Sequence, residues 1–368
     1  MSASPHDDLR YMQLALSLGR RGLGNTWPNP AVGVVIVRDG VIVGRGVTRP
    51  GGRPHAETEA LKQAGPSARG ATLYTSLEPC SHHGKTPPCA DAIAEAGIAR
   101  VVSAIEDPNP DVAGQGHARM RGAGIAVEVG LCAEKAARAH AGHIRRVRDG
   151  RPHVTLKLAV SADGKAARAG RKPVQLTGEE TRARVHRLRA MNDAILVGIG
   201  TVLADDPLLT CRLPGMEKRS PVRVVLDATL RLPLTSKLVC SAREIPVWTI
   251  FAADKDLARG AALHDIGVET MPVQRAGEGI DLKRALHALA QRGITRLLVE
   301  GGPTVAASFV AADLVDEVML LRSPMTIGPD GIDALEGLPL AALTASPRLR
   351  SGGIETSGAD AIETFARV

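Results

Sequence analysis

The chain has 368 residues, of which 44% are hydrophobic and 23% charged, as in an ordinary globular protein with room for two domains. Aromatic residues make up only 2%, and the net charge of +7 is spread without a lysine or arginine block, which argues against a nucleic-acid-binding protein. Five cysteines form no dense framework, no apolar run approaches about 18 residues and no signal-peptide pattern opens the chain, so we expect a cytoplasmic protein without a membrane span.

In the first half, predicted helices alternate with predicted strands. Apolar residues at helical spacing predict a first helix that ends near Gly22, and Asp39-Gly40 predicts the turn of a β-hairpin over 31–43. His55 opens a predicted helix that runs to about Ala64. The other expected elements are strands at 71–76, 100–105 and 125–129 and helices at 89–96, 116–122 and 133–148. This alternation predicts a sheet with helices packed on it.

The second half starts afresh after a predicted linker at 149–152, which gives domains at 1–149 and 150–368. Strands are expected at 153–160, 194–197, 223–226, 247–250, 297–299 and 316–321, and helices at 177–191 and 282–291. Thr177 is the predicted N-cap of the first of these helices. Residues 342–368 carry no pattern that we can assign. The fold class predicted for both halves is α/β.

Three soft ligands suited to zinc, His55, Cys80 and Cys89, lie in the first half. They leave a fourth position open for water, whose pKa an open-site zinc lowers to roughly 7. Glu57 is placed to carry protons beside that water. A His-x-Glu followed by Pro-Cys is the pattern of zinc nucleobase deaminases, although eight residues separate the two cysteines here instead of the usual two. The joint pattern predicts a catalytic zinc site.

Two histidines, His82 and His83, compete with these ligands. They lie in the loop between the cysteines, and we favour a substrate-contact or loop role for them.

Both predicted ligand sets fall near helix N-termini, where the helix dipole stabilises thiolates and other anions.

Glycine turns follow two strands of the second half, at 198–201 and 300–304. Each is as consistent with plain chain reversal as with a phosphate cradle, and neither is the G-x-G-x-x-G of a Rossmann NAD site. Asp205-Asp206-Pro207 is more typical of a turn or cap than of a metal site. Arg189 and Arg212 could clamp a substrate phosphate. From these features alone, this half is an α/β ligand-binding domain.

The two halves together resemble the bifunctional riboflavin-biosynthesis deaminase–reductases over about residues 8 to 345. In the first half the resemblance rests on Pro28-Asn29-Pro30, His55-Ala56-Glu57 and the segment 78–89, whose long cysteine spacing is characteristic of that family. In the second half it rests on Lys157-Leu158-Ala159, Ser161-Ala162-Asp163-Gly164 and the segments 200–207 and 299–304.

For the first half, the resemblance implies a cytidine-deaminase-like α/β/α sandwich. The expected reaction is hydrolytic removal of the 2-amino group of 2,5-diamino-6-ribosylamino-4(3H)-pyrimidinone 5′-phosphate, with release of ammonia. His55, Cys80 and Cys89 match the family's zinc ligands, Glu57 its proton carrier and Asn29 a substrate-binding residue.

For the second half, the resemblance implies a dihydrofolate-reductase-like fold that uses NADPH to reduce the ribosyl group to ribityl. The implied NADPH contacts are Ala159, Gln175, Thr201, Asp205, Ala228, Gly302, Pro303 and Thr304. The implied substrate contacts are Lys157, Pro173, Arg189, Leu209, Arg212 and Glu300. Many members have an aromatic residue where this chain has Gln175, which puts cofactor stacking there in question. The resemblance also implies a homo-oligomer, a dimer or tetramer.

Two other functional hypotheses compete with this one. A single-activity zinc deaminase acting on another nucleobase, for example in tRNA, would be favoured by a tight C-x-x-C loop and a concentrated basic patch, and both are absent from the sequence. A non-enzymatic module with structural zinc would usually supply four protein ligands, whereas here Glu57 accompanies an open fourth position.

Overall fold

The computed structural model describes residues 5–82, 87–110, 112–254 and 257–368. The chain forms two compact units, Met1–Gly150 and Arg151–Val368. The boundary expected from the sequence, between 149 and 150, lies one residue before the observed division. Among the helices that these ranges contain, none has the length and apolar character needed to cross a membrane.

The first unit is built on a five-stranded sheet of order β2-β1-β3-β4-β5. Its helices and strands are α1 (Pro5–Arg20), β1 (Gly33–Arg38), β2 (Val41–Val47), α2 (Ala56–Ala64), β3 (Thr72–Thr75), α3 (Cys89–Glu95), β4 (Arg100–Ser103), α4 (Gln115–Gly122), β5 (Ala126–Val129), α5 (Ala133–Ala139) and α6 (Ala141–Asp149). Strand β1 pairs antiparallel with β2 and β3, and β3, β4 and β5 are parallel. The expected hairpin is therefore confirmed.

Helices cover both faces of this sheet because its strands alternate their side chains between two cores. From β1, Val34 and Ile36 pack with apolar residues of α2, α3 and α4. Val35 and Val37 point the other way and pack with α1 and α5. The result is the α/β/α sandwich that the family resemblance implies.

The second unit contains a nine-stranded sheet of order β11-β10-β9-β8-β14-β6-β15-β18-β17. Its strands are β6 (His153–Val160), β7 (Lys165–Ala167), β8 (Ala194–Gly198), β9 (Val222–Leu226), β10 (Val247–Ala252), β11 (Val268–Val273), β12 (Arg275–Ala276), β13 (Gly279–Ile280), β14 (Arg296–Val299), β15 (Glu317–Arg322), β16 (Ile332–Asp333), β17 (Leu349–Ser357) and β18 (Asp360–Arg367). Its helices are α7 (Glu179–Ala190), α8 (Ile199–Asp205), α9 (Lys237–Cys240), α10 (Leu257–Asp265), α11 (Leu282–Gln291), α12 (Pro303–Ala311) and α13 (Ala341–Thr344). Short 3₁₀ helices lie at Pro50–Gly52 and Gly65–Ala68 in the first unit and at Ala169–Arg171 and Glu217–Arg219 in the second.

In this sheet the neighbouring strands β11, β10, β9, β8, β14, β6 and β15 are parallel. The C-terminal hairpin β17–β18 adds two antiparallel strands. The α/β class is confirmed. The hairpin occupies the C-terminal segment that carried no assignable pattern in the sequence.

Two local predictions were wrong. The single helix expected over 133–148 is divided at His140, whose backbone (φ −96°, ψ 12°) ends α5 and precedes α6 while its Nε2 lies 3.1 Å from Ser76 Oγ. The expected Thr177 cap is absent, because Gly178 is the N-cap of α7 and makes no side-chain cap bond. The Gly178 N–H instead donates to Asp360 Oδ2 at 2.8 Å.

Candidate functional site

Helix α2 carries two of the predicted site residues and lies unusually close to strand β2. A Cβ on Gly46 would come within 1.8 Å of the Ala56 carbonyl oxygen, and one on Gly44 within 2.4 Å of the Ala60 carbonyl oxygen. These glycines allow the backbone of α2 to rest directly on the strand. His55 is the N-cap of α2 but makes no side-chain cap bond, so its imidazole is left for another partner.

The structure brings His55, Cys80 and Cys89 together. His55 Nδ1 lies 3.7 Å from Cys80 Sγ and 3.4 Å from Cys89 Sγ, and the three ligand atoms all lie within 4.8 Å of one another. A tetrahedral zinc bound about 2.3 Å from sulfur and about 2.0 Å from nitrogen requires an N···S separation of roughly 3.5 Å. The donor atoms and their spacing therefore fit zinc.

Hydrogen bonds within the cluster shift the pKa values of the two thiols in opposite directions. The Cys89 thiol, aided by the Cys89 N–H at 3.3 Å and by His55, lowers the pKa of Cys80 to about 4. The neighbouring Cys80, together with burial, raises the pKa of Cys89. The bond to Cys80 also raises the pKa of His55. Both cysteines bind a metal as thiolates, so metal binding releases their protons.

Glu57 lies on the first turn of α2, two residues after His55, with 3% of its surface exposed. Burial is the main cause that raises the pKa of Glu57 to about 7. The nearby Cys80 thiolate adds to this shift, whereas His55 opposes it. A carboxyl group with a pKa near neutrality can both accept and donate a proton.

Asn29 lies in the Trp27–Gly52 region that leads to His55. Its Nδ2 donates to the Gly52 carbonyl oxygen at 2.8 Å, and Gly52 has a φ of +84°, where a Cβ would meet the Asn29 side chain at 2.6 Å. Asn29 therefore holds the turn that precedes His55. His82 is exposed, and His83 lies outside the described residues.

Several contacts around the cluster involve residues that sequence reasoning did not single out for a role. Glu78, two residues before Cys80, is buried and accepts backbone N–H bonds from the segment 107–117. His143 Nε2 lies 3.4 Å from Asp107 Oδ2, and this contact helps to lower the pKa of Asp107 although burial opposes the shift. The sequence signal for Glu78 was a carboxylate at the end of a strand, immediately before Pro-Cys.

In the second unit, the expected cofactor and substrate residues follow the carboxyl ends of neighbouring parallel strands. Lys157 and Ala159 lie in the last part of β6, Thr201 in α8 directly after β8, Ala228 just after β9, and Gly302 just after β14. Because β9, β8, β14 and β6 are consecutive in the sheet and parallel, these residues share one edge. This edge is where open α/β sheets bind ligands.

The glycines of the two turns differ in how closely other atoms approach them. A Cβ on Gly198 or Gly301 would meet the Val305 side chain at 2.7 Å and 2.6 Å, so these glycines serve close packing of α12. A Cβ on Gly302 would lie 3.3 Å from Thr201 Oγ1, which brings the two turns together. Gly200, by contrast, has open space beside it, with no atom within 4 Å of such a Cβ.

Arg189 does not present a free guanidinium for a phosphate. Its Nε and Nη2 donate to Glu300 at 2.8 Å and 2.9 Å, and its Nη1 donates to the Thr210 carbonyl oxygen at 3.1 Å. Lys157 Nζ lies 3.7 Å from Glu300 Oε2. Burial opposes ionisation of Glu300, but the charges of Arg189 and Lys157 hold its pKa below the usual value. Arg189 therefore fixes Glu300, and its part in a phosphate clamp stays a prediction.

The segment that follows α8 is held in a constrained conformation. Asp206 is the C-cap of α8 at a φ of +41°, as expected of a turn or cap, and Leu209 has a φ of +56°. Leu209 is buried, whereas Asp205 and Arg212 are exposed. Arg212 is thus the arginine of this segment that remains directed to solvent.

Pro173 and Gln175 are exposed, in the segment between the 3₁₀ helix Ala169–Arg171 and α7. A chain of contacts joins this neighbourhood to the second glycine turn: Arg171 pairs with Glu336, which accepts a hydrogen bond of 2.5 Å from Thr304 Oγ1. Neither Pro173 nor Gln175 itself takes part in that chain.

The first unit is a sandwich that carries three metal ligands and an open fourth position. The second unit has a parallel sheet with glycine turns at the edge where ligands bind. Together these features indicate a deaminase joined to a reductase. Comparison with known proteins agrees: residues 5–105 match the family model of the cytidine and deoxycytidylate deaminase zinc-binding region, and residues 152–362 match that of the RibD C-terminal domain. The chain belongs to the RibD family, the bifunctional deaminase–reductases of riboflavin biosynthesis.

The similarity to individual family members extends over nearly the whole chain. It is 41% identical to the riboflavin biosynthesis protein RibD of Aquifex aeolicus, covering 98% of each chain, and 40% identical to that of Escherichia coli, covering 96% of this chain and 97% of the relative. The solved structure of Acinetobacter baumannii RibD superposes with a TM-score of 0.87 at 36% identity, covering 99% of each chain. Zinc and NADPH are accordingly the cofactors of this enzyme.

Proposed function

We propose that residues 1–149 hydrolyse the 2-amino group of 2,5-diamino-6-ribosylamino-4(3H)-pyrimidinone 5′-phosphate, and that residues 150–368 then reduce the ribosyl group of the product to ribityl. A Thermotoga maritima structure that is 34% identical, with a TM-score of 0.85 and 99% of each chain covered, bears the name diaminohydroxyphosphoribosylaminopyrimidine deaminase/5-amino-6-(5-phosphoribosylamino)uracil reductase. The product of the two steps is 5-amino-6-ribitylamino-uracil 5′-phosphate.

The observation that carries the deaminase assignment is the metal-ready cluster with a buried carboxyl group beside it. His55, Cys80 and Cys89 would hold zinc, which when bound would supply a nucleophilic water at neutral pH. Glu57 accepts the proton of the attacking water and returns it to the departing amine, so that ammonia leaves. Burial of Glu57 excludes competing bulk water from this transfer, and Asn29 contacts the substrate beside the turn that carries His55.

For the reductase, we assign the cofactor to the shared strand edge, where Gly200 lies in the first turn of α8 with open space beside its Cα. The NADPH-binding residues are Ala159, Gln175, Thr201, Asp205, Ala228, Gly302, Pro303 and Thr304. NADPH supplies the hydride. The protein's task is to hold the sugar carbon within reach of it, so positioning matters more than acid–base chemistry.

The substrate of the reductase is assigned to Lys157, Pro173, Arg189, Leu209, Arg212 and Glu300. Within this set, Arg189 and Lys157 keep Glu300 ionised and fixed, so that its carboxylate can accept hydrogen bonds from the substrate. The exposed Arg212 supplies the positive charge that a substrate phosphate requires.

A split assay on purified protein tests the proposal. The diaminopyrimidine ribotide is supplied first without NADPH, and ammonia is measured; NADPH is then added and its oxidation is followed. We expect ammonia in the first stage and NADPH oxidation in the second. No ammonia from zinc-loaded protein would overturn the substrate assignment, and ammonia without later NADPH oxidation would overturn the assignment of the reductase.

We also propose that the protein is a homo-oligomer that pairs through strand β17. This strand lies at the edge of the nine-stranded sheet, its residues 350–356 are all exposed, and Ile354 is 68% exposed. A long exposed edge is a template for pairing with a second chain. Light scattering is expected to give a dimer or tetramer, and Ile354→Lys to shift it towards monomer; a monomeric wild-type protein would contradict this.

A cytoplasmic location is part of the proposal because all five cysteines are free thiols and two of them are metal ligands. Cell fractionation tests it: the protein is expected with the cytoplasmic markers, and recovery in an oxidising compartment would contradict the assignment.

A further inference from the structure

Glu78 is a buried carboxylate, 4% exposed, whose side chain accepts four hydrogen bonds from one distant segment. Oε2 accepts from the N–H groups of Asp107 and Gly114, both at 3.0 Å. Oε1 accepts from the N–H groups of Gly116 at 2.8 Å and His117 at 3.2 Å. Hydrogen bonds to an ionised acceptor are about twice as strong as neutral ones, so this is a firm junction.

The junction caps helix α4 from outside the helix. Its N-cap residue, Gly114, has no side chain with which to satisfy the first free N–H groups. The carboxylate of Glu78 takes that place, and its negative charge also suits the positive end of the helix dipole. Helix α4 is thereby fastened to the segment that carries Cys80.

A second contact at the same place is purely steric. A Cβ on Gly116 would come within 2.1 Å of the Pro79 carbonyl oxygen, the peptide group that joins Pro79 to Cys80. The first turn of α4 therefore rests directly on this peptide. On the other side, the Ala90 N–H donates to the Cys80 carbonyl oxygen at 3.2 Å, so the backbone of Cys80 is confined from two directions.

We propose that the docking of α4 on Glu78-Pro79 sets the position of the Cys80 ligand, with Glu78 and Gly116 as positioning residues of the zinc site. This inference rests on the zinc deaminase function proposed above. Neither residue touches the ligand atoms of the cluster. They act by fixing the peptide from which the Cys80 thiolate reaches towards His55 and Cys89.

Two substitutions disturb the docking by independent routes. Glu78→Gln replaces one oxygen by an amide that cannot accept from the pair of N–H groups it faces, while keeping size and shape. Gly116→Ala keeps every hydrogen-bonding group and pushes on the Pro79 carbonyl oxygen.

The chain offers a matched control for each substitution. Glu106→Gln changes a neighbouring carboxylate that is 57% exposed. Gly122→Ala adds a methyl group at the end of the same helix, where a Cβ would meet nothing within 4 Å.

The readouts are zinc release to a chelator and the visible spectrum of the Co²⁺-loaded protein, which reports ligand geometry without turnover. Loss of a residue that orients a metal ligand lowers metal affinity by about tenfold to a hundredfold. We expect Glu78→Gln and Gly116→Ala to release zinc at least about tenfold faster and to alter the Co²⁺ spectrum, with NADPH reduction of the deaminated ribotide unchanged. Both controls should match wild type.

Zinc release and spectra like those of the controls in either docking variant would overturn the inference. If Glu78→Gln fails to fold, as loss of the cooperative thermal unfolding transition of the first unit would reveal, the Gly116→Ala variant alone tests the inference. Zinc-loaded wild type without ammonia release would refute the deaminase function. The Co²⁺ spectra of the variants and their controls would still test whether the docking of α4 positions Cys80.

Discussion

The two candidate sites of this enzyme are built in opposite ways. In the first unit, His55, Cys80 and Cys89 are confined by glycine-mediated backbone contacts and a buried carboxylate, and their ligand atoms lie within 4.8 Å of one another. In the second unit, the site residues are spread along one edge of a parallel sheet, and Asp205, Gln175 and others are exposed. Metal chemistry needs donor atoms at fixed distances, whereas hydride transfer needs two large ligands brought together.

The use of charge differs in the same way. The first site concentrates ionisable groups that can exchange protons, with Glu57 at a pKa of about 7. The second site locks its buried carboxylate, Glu300, in the charged state by means of Arg189 and Lys157. We therefore expect substitutions in the first site to affect the chemical step and those in the second to affect binding.

The largest expected effect follows Glu57→Gln. The amide keeps size but cannot carry the proton, so ammonia release should fall by about 10²- to 10⁴-fold. Zinc content, measured by elemental analysis, should remain at the wild-type value, and NADPH oxidation with the deaminated ribotide should be unaffected. If ammonia release persists with zinc bound, Glu57 is not the proton carrier.

An intermediate effect is expected from Arg189→Met, which leaves Glu300 buried without its bidentate partner. Removing one partner of a buried ion pair costs about 3–5 kcal/mol of unfolding free energy, and KM for the ribosyl substrate should rise at least about tenfold. Ammonia release should not change.

The matched control is Arg184→Met. Arg184 lies on the same helix, and its pair with Glu355 is exposed at 46% and 69%, so the expected loss is only about 0–1 kcal/mol. Denaturant unfolding and reductase kinetics measure both variants. Equal losses for the two would mean that the buried pair has no special role in the second site.

The smallest effect is a gain. Gln175→Trp restores an aromatic side chain at the position where many relatives have one. An aromatic contact is worth about 1 kcal/mol, so KM for NADPH should fall about fivefold, with Gln175→Ala close to wild type. An unchanged or higher KM for NADPH would show that position 175 does not contact the cofactor.

The residues of the metal cluster could be predicted because their signals are local in sequence: His55 and Cys89 lie where helices begin, and Cys80 belongs to a Pro-Cys pair. The partners that fix these residues could not. Glu78 binds N–H groups some thirty residues further along, and Arg189 pairs with Glu300, which is 111 positions away. Only tertiary structure shows that the fork of Arg189 is already engaged.

Among the features of the fold that escaped prediction, strand β17 and the break between α5 and α6 did so for different physical reasons. Strand β17 is exposed on both faces, so the alternation of apolar and polar residues that predicts a strand is missing. At the break between α5 and α6, the side chain of His140 contacts Ser76, which comes from another part of the unit, so the local sequence does not indicate where the helix divides.

The most direct test of the account removes zinc and follows both reactions on one preparation. Chelated protein should lose ammonia release from the diaminopyrimidine ribotide while it retains NADPH oxidation with the deaminated ribotide, and added zinc should restore the first reaction. Ammonia release that survives zinc removal, or NADPH oxidation that is lost with zinc and returns with it, would contradict two sites with separate chemistries.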